Sequence, residues 1–208
     1  MTQTISGSAD VDTESSVPAP ENQYRSGAYG YLAALLRAEP DANLLAAVSG
    51  LGSQSDNGDD LATALTLLGM AAKSCPLESV ADEYFKLFIG LGRGELVPFG
   101  SWYQTGFLME KPLGILRDDL KALGFERDST INEPEDHVAA LFEVMAMLIG
   151  EDYELDQQKV FFERHLASWV KRFFDDLAGA DTATFYQSVA RFGNKFIEFE
   201  KRYLGMPV

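Results

Sequence analysis

Apolar residues recur every three or four positions along most of this 208-residue chain, and that spacing limits its fold more than any other feature. It gathers side chains on one face of an α-helix, whereas a half-buried β-strand requires alternation every two residues. No segment shows a sustained two-residue alternation. The sequence therefore predicts an all-α fold, a single-domain helical bundle. The clearest stripe steps by four and three through Phe185, Val189, Phe192, Phe196, Phe199 and Tyr203.

Prolines, glycines and capping residues divide this pattern into successive helices. The first begins near Tyr24 and is closed by Pro40, and Asp41 caps a short helix that stops at Gly50. Helices are then expected from about residue 60, after residue 76 and over residues 112–123, with a glycine-rich loop at 90–100 and a helical turn at 102–108. Three further helices are predicted over the apolar stripes of residues 138–148, 162–173 and 185–203.

Two segments differ from the helical pattern. Residues 1–20 are small and polar with prolines near the end, so they bury too little apolar surface to offset the entropy of ordering. We expect a disordered tail there and an all-helical domain over residues 21–208. The polar segment 125–132 is expected to act as a hinge, which leaves open two sub-lobes and either a monomer or a helix-exchanged dimer.

The charge of the chain limits its partners. Lys and Arg total 17 against 32 Asp and Glu, which gives a formal charge of −15. A protein this acidic repels phosphate backbones, so no nucleic-acid partner is expected, whereas a basic peptide is attracted. Solubility alone also accounts for the acidity. No secretory signal and no apolar stretch long enough to span a membrane is apparent, so a cytoplasmic protein without stable membrane insertion is predicted.

Few residues offer catalytic or metal-binding chemistry. Cys75 is the only cysteine, which excludes an internal disulfide and a thiolate metal cage. The two histidines, His137 and His165, lack the glutamate three positions earlier that a di-iron bundle requires. We therefore predict no enzyme, no catalytic residue, no metal site and no cofactor. The alternative is a small nucleotide-binding or hydrolysing enzyme that uses the glycine loop at 90–94 and His137, although no P-loop lysine follows that loop.

Residues 132–137 read Asn-Glu-Pro-Glu-Asp-His and form the most informative constellation. By spacing alone they describe a capped helix start, with Asn132 as N-cap, Glu135 returning the bond and the acids favoured by the positive helix end. His137 fits that interpretation less well, because a helix N-terminus disfavours an imidazolium. Neutral His137 can donate and accept hydrogen bonds, and Asp136 can accept from an arginine. Capping explains most of the motif, and binding is the alternative.

Aromatic residues cluster directly after the glycine-rich loop. Phe99, Trp102 and Tyr103 lie at the expected junction of loop and helix, where aromatic side chains often line a groove. Core packing is the ordinary interpretation of any one of them. Three at one junction favour a peptide groove.

Four stretches together resemble the TorD/DmsD family. Residues 84–90 (Tyr-Phe-Lys-Leu-Phe-Ile-Gly) and 97–103 (Val-Pro-Phe-Gly-Ser-Trp-Tyr) are similar to its Tyr-x-x-Leu-Phe-x-Gly and Val-Pro-Pro-Tyr-Glu-Ser-x-Tyr signature. Residues 133–137 match its Glu-Pro-x-Asp-His motif, and residues 162–169 resemble its Phe-x-x-His-Leu-x-x-Trp stretch. Phe99 and Gly100 depart from the Tyr-Glu of the pattern.

The resemblance implies a redox-enzyme maturation chaperone of anaerobic respiration with a TorD-like all-α fold. Such a protein binds the precursor of a molybdenum-containing oxidoreductase, of the DMSO/TMAO reductase or formate dehydrogenase type, often at its twin-arginine signal peptide. It holds the precursor until molybdopterin is inserted and then releases it for Tat export. By the same resemblance, a weak contact with a guanine nucleotide or with molybdopterin stays open. The peptide-binding residues implied are Glu133, Pro134, Asp136, His137, Trp102, Tyr103, Tyr84, Phe88 and Pro98.

Overall fold

The computed structural model of the protein describes residues 20–52, 59–126 and 133–206. The predicted tail lies outside the described residues except for Pro20, and so does most of the predicted hinge. Within these three ranges the chain is helical and no strand forms, which confirms the all-α prediction. The α-helices are α1 Pro20–Arg37, α2 Ala42–Ser49, α3 Asp60–Ser74, α4 Leu77–Tyr84, α5 Gly100–Thr105, α6 Lys111–Ala122, α7 Val138–Gly150, α8 Leu155–His165, α9 Val170–Gly179 and α10 Phe185–Gly205, and a π-helical turn, Phe85–Ile89, follows α4.

The core forms where α1 packs along α7 and α10 packs against α9 and α3. The ring of Tyr29 in α1 joins the two halves, because it lies 5.6 Å from the Phe142 ring of α7 and 4.7 Å from the Phe196 ring of α10. Phe192 and Phe196, two members of the C-terminal stripe, are buried as the sequence predicts. None of the described helices is both long enough and apolar enough to cross a bilayer.

A fully paired charge network is buried between α1, α8 and α10. The guanidinium of Arg25 donates to both carboxylate oxygens of Glu200, at 2.7 and 3.0 Å, and to Gln158 Oε1 at 3.0 Å. The Tyr29 hydroxyl donates to Glu200 as well, at 3.2 Å, and burial together with the nearby Glu200 carboxylate raises the pKa of this hydroxyl well above its usual value. Arg25 and Glu200 are essentially inaccessible, and a buried charge is tolerated only when it is paired in this way.

The start of α10 is capped by a distant side chain. No residue next to this helix provides a side-chain cap, and the carboxylate of Glu83 in α4 accepts instead from the backbone N–H groups of Thr184, Phe185 and Tyr186 at 2.7, 3.0 and 2.7 Å. A carboxylate at a helix N-terminus satisfies donors that have no partner within the helix and opposes the positive end of the helix dipole. Glu83 therefore fixes α4 to α10.

The predicted helix over residues 162–173 is wrong, because two helices meet there. Helix α8 ends at His165 and α9 begins at Val170. The indole of Trp169 donates to the backbone carbonyl of His165 at 2.6 Å, and the N–H of Ala167 bonds to Phe162 O rather than to the carbonyl four residues back. These bonds turn the chain between α8 and α9. Over residues 138–206, four helices are therefore present instead of the three predicted.

Candidate functional site

Helix α7 begins later than the sequence predicts, and His137 is its N-cap. The Nδ1 atom of His137 accepts from the backbone N–H of Ala139 at 3.2 Å, and the helix starts at Val138. The predicted cap, Asn132, lies outside the described residues. The predicted helix start around Glu133 is wrong, because residues 133–137 form a turn in which Pro134 O accepts from His137 N–H at 3.2 Å.

Asp136 caps a second helix. Its Oδ2 atom accepts from the backbone N–H of Ser101 at 2.7 Å, and its carbonyl accepts from the N–H of Gly100 at 2.8 Å. Both donors belong to the first turn of α5, whose orphan amides need acceptors. The second carboxylate oxygen, Oδ1, has no hydrogen-bond partner among the described residues. Among the described residues, only one of the two carboxylate oxygens of Asp136 is hydrogen-bonded.

An isolated antiparallel bridge ties these two helix starts together. It pairs Phe99 with His137, and the N–H of Val138 donates to Pro98 O at 2.9 Å. The Phe99 ring meets the imidazole edge to face at 5.0 Å. Asp136 and His137 are each only 3% exposed, so in this conformation they hold α5 and α7 together beneath the surface. Contact of either side chain with a bound peptide stays a prediction.

Burial keeps His137 neutral. It lowers the pKa of the imidazole to about 3, with a smaller contribution from the nearby positive charge of Arg37. Because Nδ1 accepts from Ala139, the proton of the neutral ring lies on Nε2. The Nε2 atom is 3.8 Å from Glu133 Oε1, too far for a hydrogen bond. The sequence-based expectation of a neutral histidine agrees with this environment, and the Nδ1 atom of His137 is used by the fold as a helix cap.

The acids of the motif that reach the surface are Glu133 and Glu135. Arg37, at the end of α1, lies between Glu133, 3.2 Å away, and Glu143 of α7, which it contacts through two guanidinium nitrogens. Glu135 pairs with Arg117 of α6 at 2.9 Å. Partial burial raises the pKa of Glu133, although Arg37 opposes this effect. The carboxylates of Glu133 and Glu143 thus share the one guanidinium of Arg37.

These charges form the rim of a groove of about 580 Å³ between α6, α7 and the turn at residues 133–135. Its apolar surface comes from both helices and from Pro134. Among the described residues, the charged side chains that line it are four acids and three bases, so this part of the lining carries a small negative excess. The apolar lining comprises Leu120, Phe125, Pro134, Ala140, Val144 and Met147, and the charged lining comprises Glu126, Glu133, Glu135, Glu143, Arg37, Arg117 and Lys121.

Of the nine predicted peptide-binding residues, only Glu133 and Pro134 line this groove. Tyr84 lies near the groove. The pKa of its hydroxyl is raised to about 12, first by burial and then by the negative charge of Glu133, which lines the groove. Its ring packs 5.0 Å from Phe88, and both rings lie against Tyr186 at 6.1 and 5.4 Å. These residues therefore belong to an aromatic cluster next to the groove, not to its lining.

The two aromatic residues of α5, Trp102 and Tyr103, do not line the groove. Tyr103 is buried, its ring stacks on Trp169 at 5.4 Å, and its hydroxyl donates to Asp176 at 3.0 Å. Burial, followed by the Asp176 carboxylate, raises the pKa of this hydroxyl. Trp102 is partly exposed, and the guanidinium of Arg93 from the glycine loop covers its ring at 4.7 Å. The structure does not bring Trp102 and Tyr103 into the groove beside Glu133.

Sequence reasoning missed several residues of the groove, above all Arg37 and Glu143. Glu143 carries a signal that was available, because it is the one charged residue in the thirteen positions of α7. An isolated charge in an otherwise apolar helix is informative, since it must find a partner or reach solvent. Arg37 carries no such signal, because a basic residue in the last turn of a helix is common.

Comparisons with known proteins agree with this architecture. The family model described as nitrate reductase delta subunit matches residues 54–175. The chaperone protein TorD of Vibrio cholerae is 28% identical over 136 residues, which cover 60% of this chain and 62% of that protein. TorD of Shewanella pealeana is 26% identical over 212 residues, 93% of this chain and 96% of that protein. The alignment with the Vibrio cholerae protein thus spans less than two thirds of its length.

A solved structure has the same fold. It is described as a redox enzyme maturation protein from Archaeoglobus fulgidus, and it superposes with a TM-score of 0.57 at 18% identity over 90% of this chain and 99% of that one. The relatives with similar sequences are named as chaperones, which agrees with the prediction of a non-enzymatic role. Because the family model covers more than half of the sequence, the chain belongs to the nitrate reductase delta subunit family, the TorD family whose signature it carries.

Proposed function

We propose that this protein is a cytoplasmic chaperone that binds the twin-arginine signal peptide of a molybdoenzyme precursor. It holds the apoprotein until the molybdopterin cofactor is inserted and then releases it for export. The observation that carries the proposal is the groove beside Glu133, where carboxylates border an apolar surface. Membership of the TorD family supports the same role.

The groove fits the chemistry of such a signal peptide, which joins an arginine pair to an apolar stretch. Glu133 and Glu143 share the single guanidinium of Arg37, so a second guanidinium entering the groove would balance the remaining charge. The side chains of Val144 and Met147 offer apolar contacts beside these acids. Met147 is partly exposed at 39%, and its flexible thioether adapts to peptides of differing shape.

This electrostatic contribution depends on salt and pH. The carboxylates are only partly buried, so we expect peptide affinity to weaken as ionic strength rises. A bound guanidinium favours the ionised form of Glu133, whose pKa lies above its usual 4.5. Protons therefore compete with the peptide, and affinity falls as the pH drops through that raised pKa.

A calorimetric titration of the full chain with a synthetic twin-arginine signal peptide tests the proposal. We expect Glu133→Gln and Glu143→Gln each to weaken binding about fivefold, or ~1 kcal/mol, as for a partly exposed ion pair. The matched control is Glu163→Gln, an exposed acid on α8 that does not line the groove. For a peptide with glutamines in place of the arginine pair, the parent protein and the variants should have equal affinities. Equal weakening by all three substitutions would contradict the proposed site.

The client is proposed only by class, as a precursor of the DMSO/TMAO reductase or formate dehydrogenase type. Co-purification with candidate precursors would identify it.

The proposed role requires no resident cofactor, and the weak contact with a guanine nucleotide or with molybdopterin stays a prediction. The oligomeric state, a monomer or a helix-exchanged dimer, also stays a prediction. A nucleotide-hydrolysing role gains no support from His137, whose Nδ1 already accepts from Ala139.

A further inference from the structure

A second groove lies on another part of the surface, between α1, α3 and α10. Its volume is about 470 Å³, and its lining is mostly apolar and aromatic. Phe192 and Phe196 form its buried floor, and the partly exposed Phe199 extends it. The walls come from Tyr24, Ala28 and Tyr31 of α1 and from Leu61 and Leu65 of α3.

The apolar wall of this groove includes a large exposed side chain. Tyr24 is 79% exposed, although it lies at a helical position that lines the groove. Tyr31 and Leu65 are only partly buried among the described residues. A concave apolar surface of this kind is typical of a binding site for another apolar group.

The charges around the groove favour a cationic partner. Among the described residues, Arg25 is the only basic residue in its lining, and that side chain is 1% exposed, with its Nε and Nη2 atoms bound to Glu200. The acids of the lining, Glu21 and Asp59, are exposed. The groove therefore offers an apolar floor with two exposed carboxylates at its rim, of which Asp59 also caps α3 by accepting from Leu61 N–H at 3.2 Å.

Three candidate occupants fit the groove poorly, either by their charge or because they lack apolar side chains. The charged residues among positions 1–19 of this chain are Asp10, Asp12 and Glu14, all acidic. Residues 53–58 read Ser-Gln-Ser-Asp-Asn-Gly and contain no apolar side chain to fill such a groove. A second copy of the chain carries a formal charge of −15 and is repelled by the same field.

We infer that the groove between α1, α3 and α10 binds an apolar segment of client polypeptide that is flanked by lysine or arginine. The inference rests on the proposed function in one respect, that the client is an incompletely folded polypeptide. It assigns that client a second contact, separate from the groove beside Glu133. Aromatic side chains provide the apolar contact area, and Glu21 and Asp59 select the cationic flanks.

Two glycines on α1 allow a matched test. Gly27 lines the groove and Gly30, three residues later on the same helix, does not. A Cβ atom added at either position meets no atom within 4 Å, so a side chain can leave the backbone at both without a clash at its first atom. Gly27→Phe narrows the groove, whereas Gly30→Phe adds the same ring elsewhere on α1. Circular dichroism and thermal unfolding of both variants verify that the helices are retained.

The probe is a fluorescent peptide of about twelve alternating leucine and alanine residues with two lysines at each end, and anisotropy measures its binding to the full chain. We expect Gly27→Phe to weaken binding at least tenfold and Gly30→Phe to change it less than twofold. Glu21→Lys should weaken the lysine-flanked peptide about threefold and strengthen a glutamate-flanked peptide, while Glu163→Lys does neither. Equal affinities of the Gly27→Phe and Gly30→Phe variants would overturn the inference.

Two further results separate the inference from its alternatives. If Gly27→Phe changes the sedimentation of the protein and leaves the peptide affinity unchanged, the groove is an interface between copies and the inference fails. If Glu133→Gln still weakens the twin-arginine peptide while neither glycine variant affects the lysine-flanked one, the proposed function stands and only this second site is refuted.

Discussion

Replacing His137 is expected to remove a large part of the pH dependence of folding. The imidazole is buried at the start of α7, its Nδ1 accepts from Ala139 N–H, and its pKa lies at about 3 instead of 6.5. The unfolded chain therefore binds a proton at this residue below about pH 6.5, while the folded chain does not. Stability must fall as the pH drops from about 6.5 toward 3.

The size of this effect follows from the two pKa values. At pH 5 the unfolded histidine is mostly protonated, which favours the unfolded chain by a factor of roughly 30, or about 2 kcal/mol. At pH 7 the same contribution is only about 0.2 kcal/mol. In His137→Asn the cap acceptor is retained but the titration is lost. The advantage of the parent protein over the variant in free energy of unfolding should therefore shrink by about 2 kcal/mol between pH 7 and pH 5.

Urea unfolding of both proteins at pH 7, 6 and 5, followed by circular dichroism, measures this difference. The comparison cancels the contribution of His165, whose pKa burial also lowers but which both proteins contain. The variant also loses the contact with the Phe99 ring, a cost that does not depend on pH. A difference in unfolding free energy that stays constant over this range would refute the assignment of His137 as a buried neutral cap.

Three further predictions concern the packing and the helix caps. Glu83→Ala removes the acceptor of three amides at the start of α10, and we expect a loss of about 2–4 kcal/mol in urea unfolding. Gly193→Ala places a methyl group 2.3 Å from the Phe174 ring and should lower the free energy of unfolding by about 1–3 kcal/mol. Gly30→Ala, in open space on α1, should raise it by about 0.5–1 kcal/mol. Similar melting temperatures for the two variants would contradict the predicted contact. Asp136→Ala leaves the N–H of Ser101 without its acceptor and should lower stability by about 1–3 kcal/mol, and an unchanged melting temperature would contradict its capping role.

The helices could be predicted because their signals are local. The boundaries of α2 illustrate this, since Asp41 accepts from Leu44 N–H at 2.7 Å and Gly50 ends the helix, as its sequence indicates. The break between α8 and α9 could not be predicted, because Phe162 and Trp169 keep the apolar spacing on both sides of it. The break comes from a bond between the Trp169 indole and His165 O, which periodicity does not report.

The candidate site shows the same division. Residues 133–137 stood out in the sequence, yet a helix start at Glu133 was the wrong account of them, because Asp136 caps α5 and His137 caps α7, which begins at Val138. Asp136 and Ser101 are 35 residues apart, so no local pattern links them. The groove beside Glu133 likewise depends on Arg37 and Glu143, which only the packing of α1 against α7 brings to it.

The sequence by itself determined that the chain forms helices, where α2, α6 and α10 begin and end to within a few residues, and that the chain is acidic, because propensity, capping and net charge depend on residues close together or on simple totals. The resemblance carried by residues 84–169 added the family. Only the tertiary structure decided which acids face a groove and which are buried as caps. Those outcomes depend on contacts between segments far apart in the chain, whose geometry is set by the way the helices pack.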